Sequence, residues 1–346
     1  MSANLPIISV DGVSKRFSGP YSLLGRLRGK PPIAVHALNE VSLEVHRGET
    51  LGIVGESGCG KSTLARCLVR LHEPDAGAIR FEGKDIGVLR AAERRAFNKR
   101  VQMIFQDPYG SLNPRMTVKQ ILGEALSVHR MRPKAQIPDR IAELLELVRL
   151  PQDAAGRYPH EFSGGQRQRI GIARALAVEP DVIVADELVS ALDVSVQAQV
   201  VNLLLQLQEK LHLTVIFVAH DLRLVRHISH RVAVMYLGQV MEISPANMLF
   251  TAPRHPYTKA LLDAAPELDP TRRNRTVAAR GELPSPLNLP PGCPFASRCP
   301  HVFDRCRVER PILTPRGKGQ RAACHLTDFG TAQAEEEQIS KQGNSM

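Results

Sequence analysis

The feature that most constrains the fold of this 346-residue chain is the glycine-rich stretch GESGCGKST at residues 55–63, which fits the phosphate-loop pattern G-x-x-x-x-G-K-[ST]. The apolar residues 50–54 before it predict a short buried strand, and residues 64–71 after it predict a helix. A functionless glycine-rich turn is the alternative, but such a turn would not need this strand–loop–helix setting. The stretch therefore predicts nucleotide binding.

Each residue type in this stretch has a physical role in holding phosphate. Glycines let several backbone N–H groups face one anion, and the following helix adds the positive end of its dipole. We expect Lys61 to reach the β- and γ-phosphates and the Ser62 hydroxyl to hold Mg²⁺. The residues predicted to bind the nucleotide here are Gly55, Glu56, Ser57, Gly58, Cys59, Gly60, Lys61, Ser62 and Thr63.

Length and composition predict one large domain and a smaller one. The net charge of +10 suits nucleotide phosphates, nucleic acid or an anionic membrane face, and it does not choose among them. No apolar run approaches the ~18 residues of a membrane span, and the N-terminus lacks the pattern of a secretory signal. We therefore expect a cytoplasmic protein, in which the six cysteines are thiols or metal ligands rather than disulfides.

The pattern along the chain predicts an α/β fold. Residues 7–17 alternate like an edge strand, and residues 37–45 like a half-buried antiparallel strand. Continuous apolar runs at 182–185 and 214–218, separated by a long helix at 194–211, predict a parallel sheet covered on both faces. We expect one nucleotide domain at 1–250 with a helical insertion at about 107–178, a C-terminal domain at 251–328 and a disordered polar tail at 329–346.

Four polar residues at strand ends can complete a site around the phosphate loop. Asp186 is placed to hold Mg²⁺, and Glu187 after it is placed to polarise the water that attacks the γ-phosphate. These carboxylates could instead cap the following loop, but the phosphate loop favours the catalytic interpretation. Gln106 can bridge the metal or the attacking water to the helical insertion, and His220 can contact the γ-phosphate.

A second glycine-containing stretch, FSGGQRQR at 162–169, predicts another anion site. Ser163 can cap the helix that follows, and Gly164 and Gly165 let the helix N-terminus approach a phosphate, with Gln166 beside them. One ATP cannot occupy both loops if they lie far apart. Two chains facing head to tail would place each ATP between the Lys61 loop of one chain and the Ser163 loop of the other.

This set of motifs resembles the ATP-binding subunit of an ABC transporter over about residues 7–250. The resemblance implies a P-loop ATPase of the ABC type, with a RecA-like parallel core, an antiparallel β subdomain and a helical subdomain. It implies catalytic roles for Lys61, Gln106, Glu187 and His220, with Mg²⁺ held by Ser62, Gln106 and Asp186. In the family an aromatic side chain stacks on adenine, for which Phe17 is the best candidate and Tyr21 the alternative.

Finer motifs are similar to those of the oligopeptide/dipeptide importer ATPases. They are GESGCGKST at 55–63, QDPYGSLNPR at 106–115, SALDVS at 190–195 and HPYT at 255–258, together with a cysteine-bearing tail. Two departures are Leu188, where the family usually has proline, and a loop at 18–32 that looks longer than usual. We expect Leu188 to affect the geometry of Glu187 slightly.

The tail contains Cys293, Cys299, Cys306 and Cys324 with spacings that differ from a paired C-x-x-C zinc ribbon. Four buried cysteines without a ligand, a tetrahedral zinc and an iron–sulfur cluster are the alternatives, with His301 and His325 as substitute ligands. The resemblance favours a 4Fe–4S cluster. Cys59 and Cys67 belong to the nucleotide domain and are not expected to be ligands.

The resemblance implies ATP hydrolysis that drives peptide import at the cytoplasmic face of a bacterial inner membrane. The implied partners are a second ATPase subunit, either a copy or a paralogue, two transmembrane permeases and, indirectly, an extracytoplasmic substrate-binding protein. Nickel, opines, glutathione or sugars are alternative substrates.

A soluble ABC ATPase acting on ribosomes or DNA is a different class of protein. Such proteins usually have two nucleotide domains or a long coiled coil, and we expect no nucleic-acid partner. A non-catalytic regulatory subunit would not need both Glu187 and His220.

Overall fold

The structure, a computed structural model, describes residues 5–19, 34–190, 192–264 and 284–326. Several expectations concern residues outside these ranges. They are the alternative adenine-stacking residue Tyr21, most of the loop 18–32, Ala191 of the SALD motif and the tail predicted to be disordered at 329–346.

The strands form two sheets. In chain order they are β1 (Ile8–Ser18), β2 (Ala34–Val45), β3 (Thr50–Val54), β4 (Ala76–Phe81), β5 (Lys84–Asp85), β6 (Val101–Ile104), β7 (Val182–Asp186), β8 (Thr214–Val218), β9 (Arg231–Tyr236), β10 (Gln239–Pro245), β11 (Thr314–Pro315) and β12 (Arg321–Ala322).

The smaller sheet is antiparallel and has the order β2-β1-β4-β5. The sequence predicts β1 as an edge strand, and this expectation is wrong, because β1 pairs with β2 on one side and with β4 on the other. The alternation of side chains reports which face of a strand is buried, whereas an edge position depends on backbone pairing that the pattern does not contain.

Among the described residues, the larger sheet has eight strands in the order β11-β12-β10-β9-β3-β8-β7-β6. The pairings from β6 across to β9 are parallel. The β3, β7 and β8 strands are buried along their whole length, as expected for parallel strands covered on both faces. Antiparallel β10 extends this sheet, and β12, from the C-terminal region, pairs with β10 through Glu242 and Ala322.

The helices of the described ranges cover the sheets and form the insertion. They are α1 (Lys61–Leu68), α2 (Ala91–Arg100), α3 (Pro108–Ser111), α4 (Val118–Val128), α5 (Ile137–Leu147), α6 (Gly164–Leu176), α7 (Val194–Leu211), α8 (Leu222–Ile228), α9 (Ala246–Thr251), α10 (Pro256–Ala264) and α11 (Asp304–Val308). None of the helices in these ranges is long and apolar enough to cross a membrane.

The helix after the phosphate loop begins earlier than the sequence predicts. The expected start is residue 64, but α1 begins at Lys61 and ends at Leu68, three residues before the expected end. The charged and hydroxyl residues at 61–63 hide the start in the sequence, because they belong both to the phosphate loop and to the first helical turn. The helix ends where Arg70 adopts a left-handed backbone with φ 61°.

The chain between β6 and β7 forms the helical insertion predicted at about 107–178. Thr117 caps α4 through a capping box with Gln120, and the apolar sides of α4, α5 and α6 pack into one core. The same core includes residues under the parallel sheet and Phe295 of the C-terminal region. The insertion and the C-terminal region therefore both contribute to one continuous apolar core.

Candidate nucleotide site

The phosphate loop lies between the carboxyl end of β3 and the start of α1, where a parallel sheet presents a crevice for ligands. Two of its glycines are required by close packing. A Cβ atom at Gly55 would lie 2.2 Å from the carbonyl oxygen of Met235, and one at Gly60, where φ is 103°, would lie 2.2 Å from the carbonyl oxygen of Ala37. A side chain at either position would therefore clash with a neighbouring backbone carbonyl.

Lys61 is buried at the first helical position of α1. Its Nζ donates to the carbonyl oxygens of Gly55 at 2.9 Å and Glu56 at 3.0 Å. Ser57 and Gly58, in contrast, are exposed at the tip of the loop, and Cys59 is buried. The ammonium group therefore lies against the loop that a phosphate would occupy, held by hydrogen bonds that phosphate oxygens can replace.

Two of the three residues predicted to hold Mg²⁺ meet at this loop, whereas the amide of the third, Gln106, donates to Glu187. Ser62 Oγ donates to Asp186 Oδ1 at 2.8 Å, and Asp186 is the last residue of β7. Burial raises the pKa of the Asp186 carboxyl, and the hydrogen bond from Ser62 acts in the opposite direction. A hydroxyl and a carboxylate are the hard oxygen donors that Mg²⁺ prefers, so this pair fits the ion.

The predicted general base lies one residue beyond. Glu187 Oε2 accepts a hydrogen bond of 2.6 Å from Gln106 Nε2, which brings together two residues that are 81 positions apart. The backbone of Glu187 has φ 46°, in the left-handed region that non-glycine residues rarely adopt. Its N–H donates to the carbonyl oxygen of Val218 at 3.0 Å, which anchors this unusual conformation to β8.

His220 is exposed just after β8 and lines a small cavity that Glu187 and Ser190 also line. Ser190 Oγ donates to the carbonyl oxygen of Glu187 at 3.0 Å. The structure thus brings Gln106, Glu187 and His220 to the same edge of the sheet, beside the phosphate loop and the Ser62–Asp186 pair.

Leu188 stands where proline is usual in the family that the motifs resemble. Its side chain is fully buried in the core that the insertion shares. Leucine therefore contributes apolar packing directly after Glu187, and Glu187 remains within hydrogen-bonding distance of Gln106.

The Ser163 loop lies at the N-terminus of α6, as predicted. Ser163 Oγ accepts from the Gln166 N–H at 3.4 Å, and Gln166 Oε1 accepts from the Ser163 N–H at 3.0 Å, a capping box. A Cβ atom at Gly165 would lie 2.3 Å from Val196 of α7, and one at Gly164 would lie 2.9 Å from Leu192. Glycine at both positions thus lets the helix start pack closely against α7, with Ser163 exposed.

Two residues that the sequence analysis missed tie the Gln106 segment to α6. Gln168 Nε2 donates to the carbonyl oxygen of Gln106 at 3.4 Å, and Arg174 Nη1 donates to that of Ser111. A sequence pattern could have indicated such residues, because they are polar side chains on the face of the helix that is otherwise apolar. Gln168 and Arg167 lie on this face and are buried. A polar side chain at a buried helical position needs a specific partner.

Phe17, the candidate for adenine stacking, lies near the end of β1 and is 38% exposed. Its ring contacts His72 edge to face, with 5.3 Å between the ring centroids, and Lys15 Nζ lies 5.7 Å from the ring centroid. The partly exposed Phe17 ring stays the candidate surface for adenine.

The four tail cysteines line one small cavity, which His255, His301 and His325 also line. Burial raises the pKa of Cys293 to about 12 and that of Cys299 to about 11, so both are thiols at neutral pH. Within the described ranges, no group of three or more His, Cys, Asp or Glu side chains has a geometry that could hold a metal ion. The cavity therefore brings the predicted ligands together without forming a ready site for a single ion.

A phosphate loop at the end of β3, an adjacent hydroxyl–carboxylate pair and a following glutamate are the parts of a P-loop ATPase site. Residues 38–190 match the family model described as ABC transporter, and residues 241–306 match that of the oligopeptide/dipeptide transporter C-terminal region. The chain belongs to the ABC transporter family, among the ATP-binding proteins that carry this C-terminal region.

Relatives and solved structures support this membership. A "Probable peptide ABC transporter ATP-binding protein" of Sinorhizobium fredii is 54% identical and covers 84% of this chain and 83% of its own length. An oligopeptide transport ATP-binding protein of Bacillus subtilis is 51% identical over 84% of this chain and 90% of its own length. A dimeric ATP-binding cassette, solved bound to ADP and Pi in a post-hydrolysis state, is 27% identical with a TM-score of 0.60, covering 69% of this chain and 98% of that one. The predicted family and fold class are confirmed.

Proposed function

We propose that this chain is the ATP-hydrolysing subunit of a bacterial importer for di- and oligopeptides. The observation that carries the proposal is the pairing of an ABC ATPase region with an oligopeptide/dipeptide transporter C-terminal region in one chain. Relatives at 54% and 51% identity are named for peptide and oligopeptide transport, which supports the same substrate class here.

The side chains of the site support in-line attack of water on the γ-phosphate. Bound ATP and Mg²⁺ supply the phosphoryl group and the neutralisation of its developing charge. Lys61 Nζ would exchange the carbonyl oxygens of Gly55 and Glu56 for phosphate oxygens, and Ser62 and Asp186 would hold the metal. The Glu187 carboxylate would accept the proton of the attacking water, while the Gln106 amide, which donates to its Oε2, orients it.

We further propose a head-to-tail dimer in which the Ser163 loop completes the site of a second ATPase subunit. Gly165 of the Ser163 loop packs against α7, whereas Gly55 of the phosphate loop packs against β9. The two anion sites are therefore built on different parts of the chain. His220 would sense the γ-phosphate, and closure on ATP would move the helical insertions. The Gln106–Gln168 hydrogen bond gives a direct route from the site to α6.

These insertions are the parts that we propose to contact two transmembrane permeases at the cytoplasmic face of the inner membrane. A substrate-binding protein outside the membrane would be an indirect partner, and we expect no nucleic acid. The domain limits that we propose are 1–250 and 251–328, although β12 joins the sheet of the first.

We also propose a 4Fe–4S cluster held by Cys293, Cys299, Cys306 and Cys324. The shared cavity supports this ligand set, and a tetrahedral zinc on the same four thiols is the alternative. Burial raises the pKa of Cys293 and Cys299, so cluster loading would have to release the protons of these two thiols.

The test is affinity purification of the tagged chain from native membranes solubilised in detergent, with an untagged strain as control. We expect two multi-span membrane proteins and a second ATPase to copurify. The recovered complex, reconstituted with its binding protein, should hydrolyse ATP faster with tripeptides than with nickel, glutathione or sugars. Recovery with ribosomes or nucleic acid instead of permeases would overturn the transport proposal, and stimulation by another solute would overturn the peptide assignment.

A further inference from the structure

The C-terminal region contacts the phosphate loop directly, at Glu56. The N–H of Glu56 donates to the hydroxyl of Tyr257 in α10 at 3.0 Å. Arg298 Nη1 lies 2.9 Å from Glu56 Oε2 and also donates to the Tyr236 hydroxyl at 3.3 Å. Both the backbone and the side chain of one phosphate-loop residue are therefore held from outside the loop.

An aromatic cluster supports these two contacts. Tyr236, Tyr257 and Phe295 are fully buried, with ring centroids 4.6 Å apart for the two tyrosines and 5.3 Å apart for Tyr257 and Phe295. The Arg298 guanidinium lies 5.8 Å from the Tyr236 ring and 5.9 Å from the Phe295 ring. Rigid rings thus fix the direction from which the hydroxyl and the guanidinium reach the loop.

The same cluster touches the cysteine cavity. Phe295 lines that cavity, and Arg298 directly precedes Cys299, another lining residue. A continuous set of contacts therefore runs from the cysteine cavity through Phe295 and Arg298 to Glu56.

Stability alone does not account for this arrangement. The Arg298 side chain is 9% exposed and that of Glu56 is 22% exposed, so both charges lose much of their hydration. The Arg298 Nε is buried without a hydrogen-bond partner among the described residues. A buried ion pair contributes little net stability, but it fixes the geometry of the groups it joins.

We propose that Tyr257 and Arg298 are positioning residues for the phosphate loop, and that the C-terminal cysteine region thereby sets the ATP affinity of the chain. Glu56 follows Gly55, whose carbonyl oxygen accepts from Lys61, so a shift of Glu56 moves the groups that surround the phosphates. The proposal rests on ATP binding by this family and requires neither a peptide substrate nor an occupied cysteine cavity.

The first test compares Arg298→Ala with Arg298→Lys and with Arg305→Ala, whose exposed partner is Glu309 in the same region. The readouts on the purified full-length chain are affinity for a fluorescent ATP analogue and the melting temperature. We expect Arg298→Ala to weaken nucleotide binding about tenfold, Arg298→Lys to restore part of it, and Arg305→Ala to match the wild type. Lower melting temperature with unchanged affinity in Arg298→Ala would show a purely structural role and overturn the proposal.

The second test is a double-mutant cycle with Glu56→Ala. If Arg298 acts through Glu56, the double variant binds nucleotide no more weakly than the weaker single variant. Losses that multiply would show that the two residues act independently and would contradict the proposed link.

A third variant, Tyr257→Phe, keeps the buried ring and removes only the hydroxyl. We expect about threefold weaker binding, because the Glu56 N–H loses its acceptor. Unchanged affinity would remove Tyr257 from the proposal. Copurification with permeases is not measured in any of these assays, so failure of the transport proposal would leave their outcome unaffected.

Discussion

The phosphate loop and the cysteine cavity are both candidate ligand sites, but they are built in opposite ways. The loop consists of consecutive residues, and Lys61 is hydrogen-bonded to carbonyl oxygens five and six positions away. The cavity draws its lining from His255 to Leu326, and burial raises the pKa of Cys293, Cys299 and Cys324 among its thiols. The polar groups of the phosphate loop are already hydrogen-bonded to one another without a ligand. The cysteine side chains of the cavity would acquire a function only by binding a metal or cluster.

The strongest test of the loop side of this comparison is Glu187→Gln. Loss of the general base should lower the ATP hydrolysis rate about 100-fold or more, while Lys61 and Asp186 still bind ATP. We therefore expect the variant to accumulate as an ATP-bound dimer, measured by light scattering alongside phosphate release. Glu179→Gln is the matched control, because Glu179 pairs with Arg132 and Arg140 near the surface. Normal turnover by Glu187→Gln would show that another group activates the water.

The variant Cys299→Ser tests whether the cysteine cavity holds a metal cluster. If the cavity holds a cluster, loss of one thiolate should lower the iron content and reduce the melting temperature by about 5 °C, since metal binding contributes directly to folding. ATP binding should be weakened rather than lost. Cys67→Ser, a buried cysteine of α1 outside the cavity, should keep the wild-type iron content. Equal iron in both variants would favour four buried cysteines without a ligand.

The buried carboxyl of Glu242, in the strand that joins the main sheet to the C-terminal region, should make the stability of the fold depend on pH. Its carboxylate accepts from the N–H groups of Arg254 and His255, yet burial raises its pKa to about 7, compared with 4.5 in the unfolded chain. The folded state then holds the extra proton between these pH values, so Glu242 should lower the free energy of unfolding as pH rises from about 4.5 to about 7. His255 acts oppositely, because burial lowers its pKa to about 3 and stability is lost as pH falls below 6.5.

Glu242→Gln should remove the first of these contributions. The difference in unfolding free energy between variant and wild type should change by about 3 kcal/mol over that pH range, in favour of the variant at the higher pH. Chemical denaturation at several pH values measures the slope, and Glu146→Gln, at an exposed position of α5, is the control. Parallel pH profiles for Glu242→Gln and wild type would show that Glu242 does not titrate in this range.

The difference between the two regions also explains how much could be read from the sequence. The strands and helices around the phosphate loop, and the candidate roles of Lys61, Ser62 and Asp186, follow from consecutive residues and from strand ends at one edge of the sheet. The Glu56–Arg298 contact joins residues 242 positions apart, and no local pattern indicates it. The two-residue strand β12 shows no periodicity either, so its addition to the main sheet could not be predicted.

A smaller effect than those of Glu187, Cys299 and Glu242 concerns Phe17, the candidate for stacking on adenine. Phe17→Ala should weaken ATP binding about fivefold if its exposed face stacks on adenine, because a base–aromatic contact contributes about 1 kcal/mol or more. Phe17→Tyr should retain the affinity, since the stacking face is kept. The sharpest readout is the ratio of affinities for ATP and inorganic triphosphate, which lacks the base. Equal losses for both ligands would mean that Phe17 acts on the loop through β1 rather than on adenine, and the base would then have to stack elsewhere.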